Sequence, residues 1–527
     1  MEERPKELNE EPKTERVKPL IPAHAFVFIA SFCLMVIELV AGRIMAPYLG
    51  SSIYTWTSVI GVILMGITAG NWVGGVIAER GAKWKTVGAM FFLAAFASVI
   101  SFYTYQPIYW AVNGLQPTLA VASFLFAMTG FFPASFFLSM VTPMVITLRL
   151  DSLKKTGTTV GGIYAISAMA SILGTFLTGY VLIALLSVRI IVLMVAAVLM
   201  LTGILALADK ALVKGAPMLL FLALLWMGLL APPFCRMETA YYCVRIHDIG
   251  SGAQGKALLL DHLVHSFVTP DPRFLAYDYE AIYSVATEYV SRNKSEKPLD
   301  ALFIGGGGYV MPRFIEANYK IGDLTVVEID PGVTRASQVY LGYLPDGPIH
   351  NVNMDARVYM NGMKDDKKYD IIFGDAFNDY SIPFHLTTKE FVTMVRKHLA
   401  PNGVYALNVI DSNRNGQVLG SFIDTLSQVF PSVEVAPLQS EWRNAGRNTF
   451  VIIAAEAPID RKRWHDAATV AFEARMSPPI ITPQDQVEML FSAEDTKDFL
   501  GSHRHLSLTD DYVHVDNLIA PIFRDSF

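Results

Sequence analysis

Seven apolar stretches, near 23–47, 54–77, 87–105, 118–147, 159–187, 189–208 and 216–233, leave this chain little freedom in its first half. As helices they match roughly 30 Å of hydrocarbon, the last only just. A backbone in lipid must satisfy its own polar groups, so these stretches are expected to be helical. The apolar excess is local: the 527 residues are 52% hydrophobic and 17% charged, yet beyond residue 234 the patterning is that of a soluble domain. The expected organisation is multi-domain. It has a disordered tail at 1–20, too charged for a signal peptide, a transmembrane helical domain at 21–234, a small β-hairpin domain at 235–275 and an α/β domain at 276–527.

The loops carry an orientation signal. Arg80, Lys83 and Lys85 follow the second stretch, Arg149, Lys154 and Lys155 the fourth, and Lys210 and Lys214 the sixth, whereas 106–117 holds neither Lys nor Arg. The positive-inside rule then puts the amino terminus in the cytoplasm. Within the first stretch Glu38 and Arg43 each need a partner or a polar path, because an unpaired charge in lipid costs at least a few kcal/mol. Small residues Gly161, Gly162, Ala165, Ala168, Ser171, Gly174 and Gly179 recur along one side of the fifth stretch, which predicts close helix packing. Pro133 and Pro143 should bend the fourth. Cys33, Cys235 and Cys243 form neither a disulfide framework nor a metal cluster, and buried free thiols are expected. Cys235 and Cys243 would pair only in an oxidising compartment. A net charge of −6 without basic blocks excludes a nucleic-acid footprint.

In the soluble half, residues 238–268 alternate like a hairpin, with Gly250, Ser251 and Gly252 at the bend. Strands are expected at 301–304, 324–328, 350–354, 369–374, 403–409 and 449–454, with helices between them. That alternation predicts a doubly wound, Rossmann-like sheet that binds ligands at the carboxyl ends of its strands. Gly305, Gly306, Gly307 and Gly308 end the first strand, where backbone can approach a nucleotide closely. Glu328 ends the second, where a carboxylate can accept both ribose hydroxyls. Asp355 and Ala356 end the third, suited to an adenine edge, and Asp375 ends the fourth at the centre of the cleft. Acids after three successive strands suit an adenosyl sulfonium better than NAD, because the donor offers ribose, adenine and a cationic reacting centre.

The segments ETAYY, LLLDHLVHSFV, LFIGGGGY, VVEIDP, MDARVYM, YDIIFGDAFNDYSIP and LAPNGVYALNV follow one another in an order that resembles the spermidine synthases, the polyamine aminopropyltransferases. The likeness runs from about Glu238 to Pro521. Together with ELVAGRIMAPYLGSS it is most similar to the bacterial subfamily fused behind major-facilitator-like membrane helices. The resemblance implies Asp375 as proton acceptor, Glu328 as ribose ligand and Asp355 with Ala356 at the adenine. It also implies the Gly305 to Gly308 loop, Tyr242 and Pro383 in donor binding, and no metal. Departures fall mainly on the acceptor side. Gly308, followed by Tyr309, replaces an acid, His265 replaces a glutamine, Tyr277, Asp278, Tyr279 and Glu280 replace Tyr-His-Glu, and Asn378 replaces a second acid, with Asp379 beside it. Asp278, Glu280 and Asp379 are either compensating ligands for a cationic acceptor or solvated acids. His265 is either a cleft-wall hydrogen bonder or a catalytic group. Trp442, Arg443 and Arg447 either cover the cleft or form an ordinary loop.

The resulting expectation is a membrane-integrated transferase using decarboxylated S-adenosylmethionine or S-adenosylmethionine, which moves an aminopropyl group to an amine. A methyltransferase acting on a membrane-associated acceptor is the alternative within the same core. A polyamine- or nucleoside-sensing transporter without turnover is the alternative from another class. Expected partners are a small amine or membrane-associated acceptor, the lipid bilayer and a second copy of the chain. Parity decides the compartment: a crossing seventh stretch places the soluble domain outside, an interfacial or re-entrant one keeps it inside. Because adenosyl sulfonium donors are expected in the cytoplasm, a cytoplasmic soluble domain of a multi-pass inner-membrane protein is the expectation.

Overall fold

A computed structural model describes residues 21–527, apart from 82, 116, 151–155, 208–214, 250–254, 295–296, 377–381, 415, 439–441, 444–446, 476–489, 520 and 523–527. The expected turn at Gly250 to Gly252 therefore lies outside the described residues. The chain divides into two compact units. The first is Met1–Ala41, Val59–Ile108 and Leu125–Ala231, and the second Gly42–Ser58, Tyr109–Phe124 and Pro232–Phe527.

Apolar sequence becomes helix throughout the first half: α1 (Ala23–Leu49), α2 (Ile53–Glu79), α3 (Trp84–Asn113), α4 (Leu119–Gly130), α5 (Phe132–Ser139), α6 (Val141–Arg149), α7 (Thr156–Leu177), α8 (Ile183–Leu185), α9 (Val188–Leu207) and α10 (Ala216–Leu230). Among the described residues, six stretches are long and apolar enough to cross a membrane by length and composition: Ala23–Leu49, Ile53–Glu79, Trp84–Asn113, Phe132–Arg149, Thr156–Leu185 and Val188–Ala206. The fourth expected stretch is broken into α4, α5 and α6, with Pro133 in the first turn of α5 and Pro143 in the first turn of α6. There a missing amide leaves no internal bond broken.

Close packing in the first unit is concentrated on α2. A Cβ at Gly66 would lie 2.0 Å from the Ser135 hydroxyl, one at Gly70 2.3 Å from the Phe136 carbonyl oxygen, and one at Gly74 2.7 Å from the Met140 Cα. Spaced by four, these glycines bring two backbones together. On α7 only part of the expected stripe behaves this way. A Cβ at Gly174 would lie 2.8 Å from the Phe32 carbonyl oxygen, but one at Gly161 or Gly162, or at Gly179 just beyond the helix, would meet nothing within 4 Å.

The strands of the second unit begin with a four-stranded antiparallel sheet, β1 (Met237–Glu238), β2 (Cys243–Ile249), β3 (Gly255–Leu260) and β4 (Leu263–Val268). Here the expectation of free thiols fails, because Cys235 and Cys243 are joined by a disulfide of 2.06 Å, while Cys33 is free and buried. The antiparallel pairing of Glu238 with Cys243 places the two cysteines within bonding reach, with Cα atoms 5.2 Å apart. A seven-stranded mixed sheet follows, ordered β10-β11-β9-β8-β5-β6-β7. It comprises β5 (Leu299–Ile304), β6 (Ile321–Glu328), β7 (Ile349–Asn353), β8 (Tyr369–Gly374), β9 (Leu399–Asp411), β10 (Ser432–Pro437) and β11 (Asn448–Ala455). Strands β5 to β9 pair in parallel, while β11 runs antiparallel to β9 and β10. Helices α11 (Asp278–Asn293), α12 (Val310–Asn318), α13 (Pro331–Tyr340), α14 (Ala356–Gly362), α15 (Lys389–Lys397), α16 (Val418–Ser427) and α17 (Arg461–Arg475) alternate with the strands. Strand order reverses beside β5, since β6 and β7 lie on one side and β8 and β9 on the other. Open α/β sheets bind ligands at that point.

Helix propensity favours Ala over Gly by about 1 kcal/mol, so any loss at Gly70 reports the contact alone. Gly70→Ala should destabilise the detergent-solubilised chain by roughly 1–3 kcal/mol, as overpacking does. Gly61→Ala, on the same helix with nothing within 4 Å, should leave the thermal midpoint unchanged or raise it.

Candidate active site

The glycine turn after β5 is shaped by its neighbours. Gly305 has φ +98°, its amide donates to the Val327 carbonyl at 2.9 Å, and a Cβ there would lie 2.3 Å from the Asp375 carbonyl oxygen. Only glycine meets both conditions. The Gly306 amide donates to Glu328 Oε2 at 2.8 Å, the Gly307 carbonyl accepts from the Ser337 hydroxyl, and the Gly308 amide donates to Ser266 Oγ at 2.9 Å. Tyr309 then opens α12 in the left-handed region, φ +56°, buried and stacked on Tyr343 at 4.2 Å. Such backbone strain persists where packing enforces it.

A cavity open to solvent lies over this turn. Its walls include Gly305, Gly306, Gly307, His265, Tyr277, Glu280 and Asp375 among the expected site residues, with Ser266, Tyr279, Tyr283 and Asn408 beside them. Asp375 follows β8, and its amide donates to the Ile304 carbonyl, so sheet geometry fixes its position. Its Oδ2 accepts from the Tyr279 hydroxyl at 2.7 Å and its Oδ1 from Asn408 Nδ2 at 3.2 Å. Burial raises the Asp375 carboxyl above the ordinary range, and the two hydrogen bonds oppose that rise.

Glu280 sits on the first turn of α11, 2% exposed, and its Oε2 has no hydrogen-bond partner among the described residues. Burial, reinforced by the negative charge of Asp375, pushes its carboxyl well above the usual value. Tyr277 caps this turn; burial raises its phenol to about 12, and its ring meets Phe267 edge-on at 4.7 Å and Tyr279 at 5.0 Å. The result is an aromatic-walled space holding two buried carboxyl groups, an environment suited to a cationic amine.

The other expected residues lie along the sheet edge outside that cavity. Glu328 ends β6, 6% exposed, with Oε1 accepting from the Asp330 amide and Oε2 from Gly306. Burial raises its carboxyl, moderated by those amides. Asp355 caps α14 by accepting from the Arg357 and Val358 amides, and its Oδ2 meets His385 Nε2 at 2.7 Å. Burial alone would raise Asp355, but the amides and His385 hold it below its ordinary value. Ala356 is buried beside it, Pro383 is half-buried, and Asp278 is half-buried on the first turn of α11 without lining the cavity. Asn378 and Asp379 lie outside the described residues. Trp442 does not cover the cleft; it packs on Phe491 at 4.4 Å in the aromatic core. Across the sheet, Asp375, Gly305, Glu328 and Asp355 follow strands β8, β5, β6 and β7 in order. Three strand spacings put about 14 Å between the first and last of these strand ends.

Tyr242 is placed by a turn that gathers several elements of the second unit. Its amide donates to Thr239 Oγ1 at 2.8 Å, and that hydroxyl donates to Asp330 Oδ2 at 2.5 Å. Arg43 donates to the carbonyls of Thr239 and Ala240, the latter at 2.6 Å. The first-stretch arginine thus finds its partners on the turn that braces Asp330, two residues from Glu328.

Residues 280–460 match the spermine/spermidine synthase domain family. A probable polyamine aminopropyl transferase of Bifidobacterium longum is 35% identical over 131 residues, 25% of this chain and 28% of that protein. A polyamine aminopropyltransferase of Vibrio vulnificus is 37% identical over 123 residues, 22% of this chain and 40% of that one. The chain spans less than half the length of these two relatives. Among solved structures, a probable spermidine synthase from Corynebacterium glutamicum aligns with TM-score 0.44 at 18% identity, covering 53% of this chain and 99% of its own. Spermidine synthase from Thermotoga maritima aligns with TM-score 0.37 at 17% identity, covering 50% and 89%.

Removing the guanidinium should loosen the turn it holds. Arg43→Ala is expected to speed amide hydrogen exchange at 239–242 and 328–332, with exchange across β9 and β11 unchanged, and Arg43→Lys should restore part of the protection. Uniform change across the sheet would contradict a local brace.

Proposed function

With a spermine/spermidine synthase domain over residues 280–460 as the premise, we propose that this chain is a membrane-integrated transferase that moves the aminopropyl group of decarboxylated S-adenosylmethionine to an amine. The observation that carries the reading is the cavity in which Asp375, Glu280 and the Gly305 to Gly307 turn come together at the strand-order reversal. Glu328 would accept the ribose hydroxyls on lone pairs that the Gly306 and Asp330 amides leave open, with Tyr242 and Pro383 contributing to the nucleoside's walls. Asp355 and Ala356 would take the adenine edge.

The acceptor amine is protonated in water and must lose a proton before attack. Its nitrogen forms a bond to the methylene beside the sulfonium, the carbon–sulfur bond breaks, and sulfur keeps the electron pair as neutral methylthioadenosine. Asp375 is suited to receive the proton, because a raised carboxyl is a stronger base near neutrality. Glu280, with an oxygen unclaimed, is suited to hold an ammonium in the same space, helped by Tyr277 and His265.

A methyl donor is the second reading, and Gly308 favours it. A Cβ at Gly308 would lie 2.8 Å from the Ser266 Cβ and 3.1 Å from Val268 Cγ2. The loop therefore has no room for an acid that would select a decarboxylated donor. Offering the purified chain both donors with a panel of amines and membrane lipids separates the readings. Methylthioadenosine as the nucleoside product supports aminopropyl transfer, and adenosylhomocysteine replaces it with methyl transfer.

Asp375→Asn should cut turnover by about 10²- to 10⁴-fold, the usual worth of a positioned base, while nucleoside binding by calorimetry stays intact; undiminished turnover would sink the assignment. The pH profile has a defined sign. Asp375 must be ionised to act, so kcat/KM should fall as pH drops through its raised pKa. Tyr279→Phe removes a hydrogen bond that favours the anion, so it should move that acidic limb to higher pH. A shift to lower pH, or none, would contradict the role of Asp375.

A further inference from the structure

We infer that α10 crosses the membrane and that the α/β domain faces the extracytoplasmic side, opposite to the side expected from its adenosyl donor. Four observations converge, and none rests on the transferase chemistry. The first is the direction of α10. A Cβ at Gly228 would lie 3.0 Å from the Leu193 side chain on α9, and the Ala231 carbonyl accepts from Arg189 at the start of α9. The two helices run antiparallel, so the chain at Ala231 has returned to the level where α9 begins. The 15 residues of α10 supply about 22 Å of helix, and the apolar run on to Pro233 extends it.

The second is loop charge. Lys210 and Lys214 precede α10, on the same alternation as Arg80, Lys83 and Lys85, and as Arg149, Lys154 and Lys155. Short cationic loops stay in the cytoplasm, so a crossing α10 emerges on the other face. The third lies inside the second unit, which joins Gly42–Ser58 and Tyr109–Phe124 to the chain from Pro232 onward. Tyr48 stacks on Phe234 at 5.4 Å, Tyr109 meets His262 at 6.3 Å, and Arg43 holds the Thr239 and Ala240 carbonyls. These segments flank the α1–α2 and α3–α4 connections, and 50–52 and 114–118 carry neither Lys nor Arg. Arg43 and Arg189, which lie towards this face, are engaged by backbone carbonyls, so they leave no free cationic loop to oppose the reading.

The fourth is redox. The Cys235–Cys243 disulfide begins four residues after Ala231, and disulfides persist in oxidising compartments while cytosolic thiols are kept reduced. If the transferase reading also holds, a reaction order follows. A permanently charged sulfonium nucleoside does not cross hydrocarbon unaided, so a carrier-mediated transport step must deliver the donor to this face before group transfer.

The test uses the full chain in intact bacterial cells, with Cys33→Ser to clear the background. A membrane-impermeant maleimide should leave Cys235 and Cys243 unmodified until an impermeant phosphine reductant is added, and then label both without lysis. A cysteine placed at Lys210 should label only after permeabilisation. Cys235 and Cys243 that react without reductant, and only after lysis, would overturn the inference. Carboxyl-terminal fusions of the otherwise unaltered chain give an independent reading. Alkaline phosphatase should be active and green fluorescent protein dark; the reverse pattern would overturn it. Both readouts are indifferent to turnover, so an inactive protein with an external domain would end the transferase reading and leave this one standing.

Discussion

The contact on which the site depends is between two backbones. Gly305 can bring its chain against the Asp375 carbonyl only because it has no Cβ and adopts φ +98°. That approach locks the ends of β5 and β8 together where strand order reverses. The Gly306 amide is thereby pointed at Glu328, and the Asp375 side chain at Tyr279 and Asn408. An added methyl group would have to separate the two strand ends, and every polar contact named at the cavity floor would shift with them. Glycine entropy weakens the unfolded-to-folded balance by up to about 1 kcal/mol relative to alanine, a small penalty beside the geometry gained.

The two halves hold together by different contacts. Helices that lie in lipid gain little from burying one another's apolar surface, so close contact between such helices comes from small residues. Gly66, Gly70 and Gly74 supply a close contact of that kind on α2. The α/β sheet is driven together by burial: Phe303 and Phe373 stack at 4.5 Å near the carboxyl ends of β5 and β8, both buried. The same burial strips water from Glu280 and Asp375. The chemistry of the cavity is thus a by-product of the packing that stabilises the sheet, because a carboxylate becomes basic when the protein denies it hydration.

Much of this architecture was legible in the chain because periodicity and strand-end chemistry survive in a single sequence. The apolar stretches became helices, and the six expected parallel or mixed strands correspond to β5, β6, β7, β8, β9 and β11. Strand β10 was not expected, although SVEVAP alternates polar and apolar residues as strands do; its antiparallel pairing with β11 is a tertiary fact. Asn408 escaped as well, although a buried amide in the apolar run ALNVI was a signal that could have been weighed. Tyr279 was seen only as part of an altered motif; its bond to Asp375 joins residues 96 apart in sequence. The stripe on α7 misled because small residues permit close approach without compelling it. The disulfide was set aside for want of a compartment, which periodicity does not report.

Asp355 shows how a predicted ligand can be present and still occupied. Its Oδ1 is committed to the α14 amides, and those amides keep the carboxylate ionised, as helix amino termini do. Oδ2 faces His385, a residue that pattern alone did not single out. An adenine edge arriving there would bring an amino group able to replace the imidazole at the same oxygen, and the exchange leaves the helix cap untouched. One carboxylate can therefore serve the empty and the filled site with different partners on one oxygen. Because His385 lies two residues beyond Pro383, nucleoside binding at Asp355 would be felt first in the 383–388 segment, whose Leu386 and Thr387 line one small pocket with Gly374 and Ala376 on either side of Asp375.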